Sequence, residues 1–512
     1  YTDNSSDLFN KDRIEQFTEW MKSDHSDALP VNEKQEEFIT DCENEISLLQ
    51  GPPGTGKTSG AVAPSIISRV LSKQNNTACR VLVTGTSHKS INEVMKETIE
   101  LATKYVESDK TDDALNNTEF AHLVEPPQSQ DDVVVDTTDK PFTVRKTRFY
   151  GDEVQAEHRP VIEERLQKPE LNGGDENMIV FATPRRAWRL AKKIIPSFAL
   201  KSSETLPTGT VEGDRPHKGS AQNYGLFDVL VADEASMMTM PSFMLTGAFY
   251  EEGGNVLISG DHRQLPPVQQ YNWKEDYRPT ATEVAPFTSV LNFFRIMGGE
   301  EIDAINDNMT DLLRMHNSPV NIPLHSLTTT YRCHEDVAEF LEKWVYNKLD
   351  GIEYRSTRTE TLDRINTSNN YVAEILKPNS PITVVTYDEQ SNQQSNELEA
   401  ELVRELLHGI PDEYTSGVVA PHNAQRGLIE TKIKIDDELT GKGDVDTVER
   451  FQGGERDVII MSGTVSDPDY IEQEEEFLLS LNRLNVAMSR MKKKLVVVAS
   501  ESIFNHVPID TE

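Results

Sequence analysis

The run Gly51-Pro52-Pro53-Gly54-Thr55-Gly56-Lys57-Thr58 lies between an apolar segment, 46–50, and a helical one, 58–71, and no other feature constrains the fold as much. A glycine-rich turn between a strand and a helix lets the chain curl until several N–H groups face one phosphate, and the helix start adds the positive end of its dipole. In this pattern the backbone of Gly51, Pro52, Pro53, Gly54, Thr55 and Gly56 cradles a nucleotide. Lys57 reaches its β- and γ-phosphates, and the Thr58 hydroxyl holds Mg²⁺. The expected cofactors are therefore ATP and Mg²⁺.

Apolar runs that read as buried parallel strands recur at 46–50, 80–84, 177–182, 228–232, 255–259, 382–386, 417–420, 457–462 and 494–499. Helical stretches at 58–71, 91–104, 335–346 and 396–407 separate many of them. The alternation predicts an α/β protein whose parallel sheets are covered on both faces. A length of 512 residues suggests roughly three domains at ~150 residues each. Residues 105–176 are long, acidic and mixed, which predicts an inserted subdomain. Residues 201–225, rich in Ser, Gly, Pro and Thr, read as a surface loop.

The strand at 228–232 stops at Asp233-Glu234-Ala235-Ser236. Phosphoryl transfer needs an acid that holds the metal and a group that orients and deprotonates the attacking water. Asp233 suits the first role and Glu234 the second, although acidic pairs at strand ends also cap helices. Gly260-Asp261-His262-Arg263-Gln264-Leu265-Pro266-Pro267 follows the next strand. Gln264 falls where a neutral amide senses the γ-phosphate; the proline pair also suits a plain strand end.

An acidic pair followed by GDxxQLPP resembles the signature of superfamily 1 helicases, and the resemblance extends over about residues 29–500. It implies two RecA-like P-loop lobes, 29–318 and 319–512, after a helical lead-in at 1–28, with ATP hydrolysed at the cleft between the lobes. Leu29-Pro30-Val31-Asn32 with Gln35 looks like the adenine-reading motif, Gln35 meeting the base edge. Ser87 and His88, in Thr86-Ser87-His88-Lys89, and Thr183, in Thr183-Pro184, look like first-lobe contacts to the nucleic-acid backbone. Tyr331-Arg332-Cys333-His334 resembles the motif whose arginine reaches the γ-phosphate, with Tyr331 beside the nucleotide. Pro421-His422-Asn423-Ala424-Gln425-Arg426 resembles a further second-lobe motif. In Thr447-Val448-Glu449-Arg450-Phe451-Gln452-Gly453-Gly454-Glu455 the resemblance sets Thr447 on nucleic acid and Gly453 and Glu455 near the nucleotide. Arg490, ending Asn485-Val486-Ala487-Met488-Ser489-Arg490, corresponds to the arginine finger. Such guanidinium groups suit a transition state that spreads charge over phosphate oxygens, and a finger is worth ~10³–10⁵ in rate.

The later motifs are most similar to the 5′-to-3′ group, superfamily 1B. Members of that group usually carry a β-barrel before the adenine motif, and residues 1–28 are too few for one. Either the barrel is absent or the sequence is a segment of a longer protein carrying a barrel or nuclease domain; the missing initial Met favours the second. The implied function is an ATP-dependent helicase or translocase on single-stranded nucleic acid, DNA favoured over RNA, working as a monomer. The alternative is a nucleic-acid-dependent ATPase that clamps or remodels nucleoprotein without unwinding. A silent interaction module is disfavoured by intact Lys57, Asp233, Glu234, Gln264, Arg332 and Arg490.

Composition adds one tension. The net charge is -35, which should repel a polyanion. Acid confined to local loops is one account; an acidic surface suited to a high-salt cytoplasm, where screening is short-ranged, is the favoured one. Cys42, Cys79 and Cys333 are far apart in sequence, suggesting no disulfide framework or zinc site, and a reducing cytoplasm is expected. No run approaches the ~20 apolar residues of a membrane span. Arg185, Arg186, Arg189, Lys192 and Lys193 around Trp188 read equally as a strand-binding face or a solvated helix face. Tyr271, Trp273 and Tyr277 read as a stacking cluster or, more readily, a partly buried loop.

Overall fold

A computed structural model describes residues 8–23, 31–74, 78–108, 113–124, 143–148, 177–194, 226–247, 249–268, 288–300, 321–439, 441–451 and 454–507. The chain divides into two compact units. The first comprises Tyr1–Gln50, Gly56–His262 and Pro266–Ser326, and the second Gly51–Thr55, Arg263–Leu265 and Leu327–Glu512. Leu29, Pro30, Gly453, the Tyr271/Trp273/Tyr277 cluster and the loop 201–225 lie outside the described residues.

The first unit is built on one parallel sheet. Its strands are β1 (Ile46–Gln50), β2 (Arg80–Thr84), β3 (Thr118–Val124), β4 (Thr143–Arg148), β5 (Asn177–Ala182), β6 (Phe227–Ala232), β7 (Tyr250–Gly260) and β8 (Leu324–Ser326), in the order β4-β3-β5-β2-β6-β7-β1-β8. Leu82, Val180, Leu230 and Ile258 lie within its buried core. Strands covered on both faces need apolar side chains at nearly every position, which is why the sequence shows runs instead of alternation. The helix Lys11–Lys22 belongs to this unit; its Trp20 ring meets Tyr105 edge-on at 4.8 Å.

β3 and β4 correct part of the sequence expectation. Both come from the segment expected to form an inserted subdomain, yet β3 pairs with β5 and β4 with β3, in parallel, as further strands of the same sheet. Buried Glu119 and His122 break the apolar run of β3, so nothing in the pattern marked it as a strand. No described helix is long and apolar enough to cross a membrane.

The second unit has a five-stranded parallel sheet, β11 (Ile382–Tyr387), β12 (Ser416–Ala420), β13 (Asp444–Thr447), β14 (Arg456–Ser462) and β15 (Met491–Ser500), ordered β11-β15-β14-β12-β13. A separate parallel pair joins β9 (Thr329–Thr330) to β10 (Arg355–Ser356). Val403, Leu407, Val418, Ile460 and Val496 lie in its core. Parallel strands all end at one edge of a sheet, and ligand-binding loops gather there. In the first unit β1 ends at that edge at Gln50, and the turns carrying Ser87, Thr183, Asp233 and Asp261 leave from it. In the second, His422, Thr447 and Thr464 do so.

Candidate nucleotide site and strand-facing edges

The helix after the phosphate loop opens as a π-turn, Lys57–Val62, before becoming α-helical at Ala63–Ser72. Such turns are rare and recur at functional sites. Gln35 packs beneath it: a Cβ on Gly60 would lie 2.3 Å from Gln35 Nε2, so a side chain there would displace the Gln35 amide. Gln35 is buried and part of a capping box, its N–H donating to Asn32 Oδ1 at 2.9 Å and its Oε1 accepting from the Asn32 N–H at 3.0 Å. The sequence motif did not reveal that this amide also closes a helix start.

The carboxylates follow β6. Asp233 is buried, and Thr58 Oγ1 donates to its Oδ2 at 3.4 Å. Its Oδ1 is buried without a hydrogen-bond partner. Burial, reinforced by the Glu234 charge, pushes the Asp233 carboxyl up to about 7, with Lys57 pulling the other way. Glu234 adopts the left-handed φ of 52°, a backbone state that persists only where its surroundings impose it, and its Oε2 is also buried without a partner. Two orphaned carboxylate oxygens beside a hydroxyl and an ammonium fit a divalent cation. Mg²⁺ takes only one or two protein ligands and completes its shell with water and phosphate. Among the described residues no group of three or more His, Cys, Asp or Glu forms a cage.

Gln50, at the end of β1, donates from Nε2 to Asp261 Oδ1 at 2.7 Å, and its Oε1 accepts from the His262 N–H at 3.3 Å. This buried amide joins the β1 turn to the β7 turn. Nothing distinguished it from the rest of the strand in sequence.

Within the second unit, Pro53 and Gly54 are gripped by the first strand pair. Thr330 Oγ1 donates to Pro53 O at 3.0 Å, Tyr354 Oη to the same oxygen at 2.7 Å, and the Tyr331 N–H to Gly54 O at 2.8 Å. Gly54 has φ 73°, and a Cβ there would lie 2.5 Å from Arg332 Cβ. Tyr354 was not singled out in sequence because a lone tyrosine between charged residues carries no pattern. Arg332 Nε donates to Glu455 Oε2 at 2.8 Å, while Lys492 Nζ approaches Glu455 Oε1 at 2.5 Å. Burial opposes the Glu455 charge, but Lys492 and Arg332 outweigh it and hold the carboxyl below its usual value. Gln264 is buried; its carbonyl accepts from Asn482 Nδ2 at 2.5 Å, and the Arg263 carbonyl accepts from Asn485 Nδ2 at 2.8 Å. Arg490 is buried just beyond the helix Leu481–Met488.

Ser87 is exposed and caps the helix His88–Glu107, its Oγ accepting from the Ser90 N–H at 3.1 Å. The Thr183 carbonyl accepts from the Arg186 N–H at 2.8 Å at the start of Pro184–Ile194. β2 and β5 are neighbours, so both residues stand on adjacent strand ends. Thr447 is only 6% exposed, closing a turn in which its carbonyl accepts from the Phe451 N–H at 2.9 Å. On the helix Pro184–Ile194 the Trp188 ring lies 5.9 Å from Phe249 and packs against the first unit's core, Arg186 is buried, and Arg185 and Arg189 are exposed.

A glycine-rich turn after β1, a buried acid at the end of β6 and parallel sheets in both units define a P-loop nucleoside-triphosphatase fold. Sequence families described as AAA domain match residues 30–138 and 308–502. The probable helicase senataxin of Homo sapiens is 26% identical over 507 residues, covering 89% of this chain and 17% of that protein. The DNA polymerase alpha-associated DNA helicase A of Saccharomyces cerevisiae is 24% identical over 487 residues, covering 89% of this chain and 63% of that one. Among solved structures, the Arterivirus nonstructural protein 10 helicase aligns with a TM-score of 0.34 at 13% identity, covering 93% of this chain and 63% of that chain. The chain belongs to the superfamily 1 helicases, in the 1B group. It spans less than two thirds of the length of either relative.

Proposed function

We propose that this chain is an ATP-dependent helicase or translocase that moves along single-stranded nucleic acid, DNA in preference to RNA, in the 5′-to-3′ direction. The observation that carries the reading is the cluster of Thr58, Asp233 and Glu234 beside Lys57, with orphaned carboxylate oxygens where a metal-nucleotide would sit. Thr58 and Asp233 would hold Mg²⁺, which when bound offsets the charge of the β- and γ-phosphates. Glu234 orients and deprotonates the attacking water, Lys57 grips the phosphates, and Arg332 and Arg490 answer the charge that develops on the γ-phosphoryl. Gln35 reads adenine, and Gln264 reports the γ-phosphate. Ser87, His88, Thr183 and Thr447 track the strand backbone from the strand-end edges of the two sheets. A relative named as a DNA helicase supports DNA. The cytoplasm is the proposed location, and the working unit is a monomer.

The test is hydrolysis measured with single-stranded DNA and with RNA side by side, followed by displacement of duplexes bearing 5′ or 3′ tails. DNA stimulation with displacement from 5′ tails supports the reading. Stimulation without displacement selects the clamping or remodelling ATPase instead, and hydrolysis indifferent to both polymers overturns strand tracking.

A further inference from the structure

Glu399 lies in the helix Glu397–Gly409 of the second unit, and its side chain is fully buried. Its carboxyl accepts from three donors: the Tyr387 hydroxyl at the end of β11, the Ser462 hydroxyl at the end of β14, and the Thr464 N–H at 2.9 Å. The same knot draws in two amides. Gln425 Nε2 donates to Ser462 Oγ at 3.1 Å, Asn396 Nδ2 donates to Thr464 O at 3.2 Å, and the Asn396 N–H donates to Gln425 Oε1 at 2.7 Å. Thr464 holds φ 66°, a left-handed state unfavourable to a β-branched residue, and it persists where surrounding bonds over-determine it.

The segment C-terminal to Thr464 carries the effect of this knot outward. Ser466 Oγ accepts from the N–H groups of Ser391 at 3.1 Å and Asn392 at 2.9 Å. The chain then delivers Tyr470 and Phe477 to His422, whose ring lies 6.1 Å from Tyr470 edge-on and 5.3 Å from Phe477 in a stack. The Arg483 guanidinium lies over the Phe477 ring, 3.9 Å from its centroid. His422 and Gln425 belong to the motif at 421–426, so Glu399 ties the buried side of that motif to the aromatic segment on its exposed side.

We infer that Glu399 is a positioning residue for strand engagement: it fixes Thr464, and through it the Tyr470–Phe477 segment against His422, at the edge where Thr447 also ends its strand. This role rests on the strand-tracking function proposed above. The carboxylate form accepts all three donors at once; a protonated carboxyl must turn one oxygen into a donor, and the grip on the loop loosens. Burial lifts the Glu399 carboxyl to about 7, opposed by the Ser462, Tyr387 and Thr464 donors, so the exchange falls near neutrality. Glu389 is the charged group facing it and adds to the rise, Tyr387 is its titratable neighbour, and Asn396, Gln425, Ser462 and Thr464 are neutral.

The experiment compares the wild-type chain with Glu399→Gln and Tyr387→Phe, titrating an oligo(dT) and an oligo(rU) strand into the ATPase assay from pH 6 to 8. In the wild type the strand concentration for half-maximal stimulation should rise as pH falls below about 7. Glu399→Gln should raise it roughly tenfold at pH 8, a size expected of a coupling residue. It should also flatten the pH dependence, with hydrolysis in the absence of strand within about twofold. Tyr387→Phe, which keeps the carboxylate, should shift it in the same direction and retain the pH dependence. A Glu399→Gln chain with the wild-type pH profile and half-maximal concentration overturns the positioning role, even if its melting temperature falls. Equal loss of basal and stimulated hydrolysis overturns it too, as a general structural defect. A wild-type chain that neither polymer stimulates overturns the functional reading itself.

Discussion

Arg332 and Glu455 form an ion pair, Nε to Oε2 at 2.8 Å, and Lys492 occupies the second carboxylate oxygen. The arginine assigned to the γ-phosphate is therefore already oriented by an acid from a different motif, which spares it the cost of ordering a long side chain when nucleotide arrives. Arg332→Ala should cut turnover by about 10³-fold or more, whereas Glu455→Gln should cost far less and mainly raise KM for ATP. The Glu455 carboxyl titrates below its usual value near 4.5, so its contribution to stability is present above that pH and lost as pH falls through the lowered value. A thermal melt from pH 6 to 3 should show Glu455→Gln losing less stability across the acid end than wild type. Identical acid profiles would refute the pairing.

In the proposed function Lys57 and Glu234 divide grip from chemistry. Lys57→Ala should weaken ATP binding, while Glu234→Gln should bind ATP with near wild-type affinity and slow turnover by about 10²–10⁴-fold, the usual worth of a general base. Nucleotide-binding titrations beside turnover assays check both. Near wild-type turnover in Glu234→Gln would sink its assignment.

Arg490 and Thr447 should separate hydrolysis from coupling. A finger acts in the transition state, so Arg490→Ala should abolish hydrolysis, by about 10³-fold or more, with a modest loss of nucleotide affinity. Thr447→Ala should chiefly reduce the stimulation by single strands. If steady-state kinetics with and without strand gave the two variants one profile, the division of labour would be wrong.

The net charge of -35 should make this chain salt-seeking. Adding salt shortens the Debye length to about 3 Å at 1 M, relieving the repulsion of the acidic surface for itself and for a polyanion. Stability should rise with KCl into the molar range, and strand-stimulated hydrolysis should survive salt that weakens binding through counterion release. Melting curves and an ATPase titration at rising KCl decide it. A decline in both above a few tenths molar, ~0.3 M, would assign the acid to local loops.

The sequence by itself determined the parts that local chemistry dictates. A glycine-rich turn between a strand and a helix, an acid pair closing an apolar run, and the runs of β1, β2, β5 and β6 each carry their meaning within about ten residues, so pattern suffices. The belonging of β3 and β4 to the first sheet was not legible, because buried Glu119 and His122 interrupt the run and only their neighbours across the sheet make it a strand. The packing of Trp188 beside Phe249 was likewise not legible, because nothing near Trp188 in sequence specifies that partner. Gln50 on Asp261, Tyr354 on Pro53 and Glu399 beneath Thr464 join residues 211, 301 and 65 positions apart. Only the tertiary structure decides such pairs, because a buried polar group must find its partner wherever the fold places one, and nothing local to either residue specifies which.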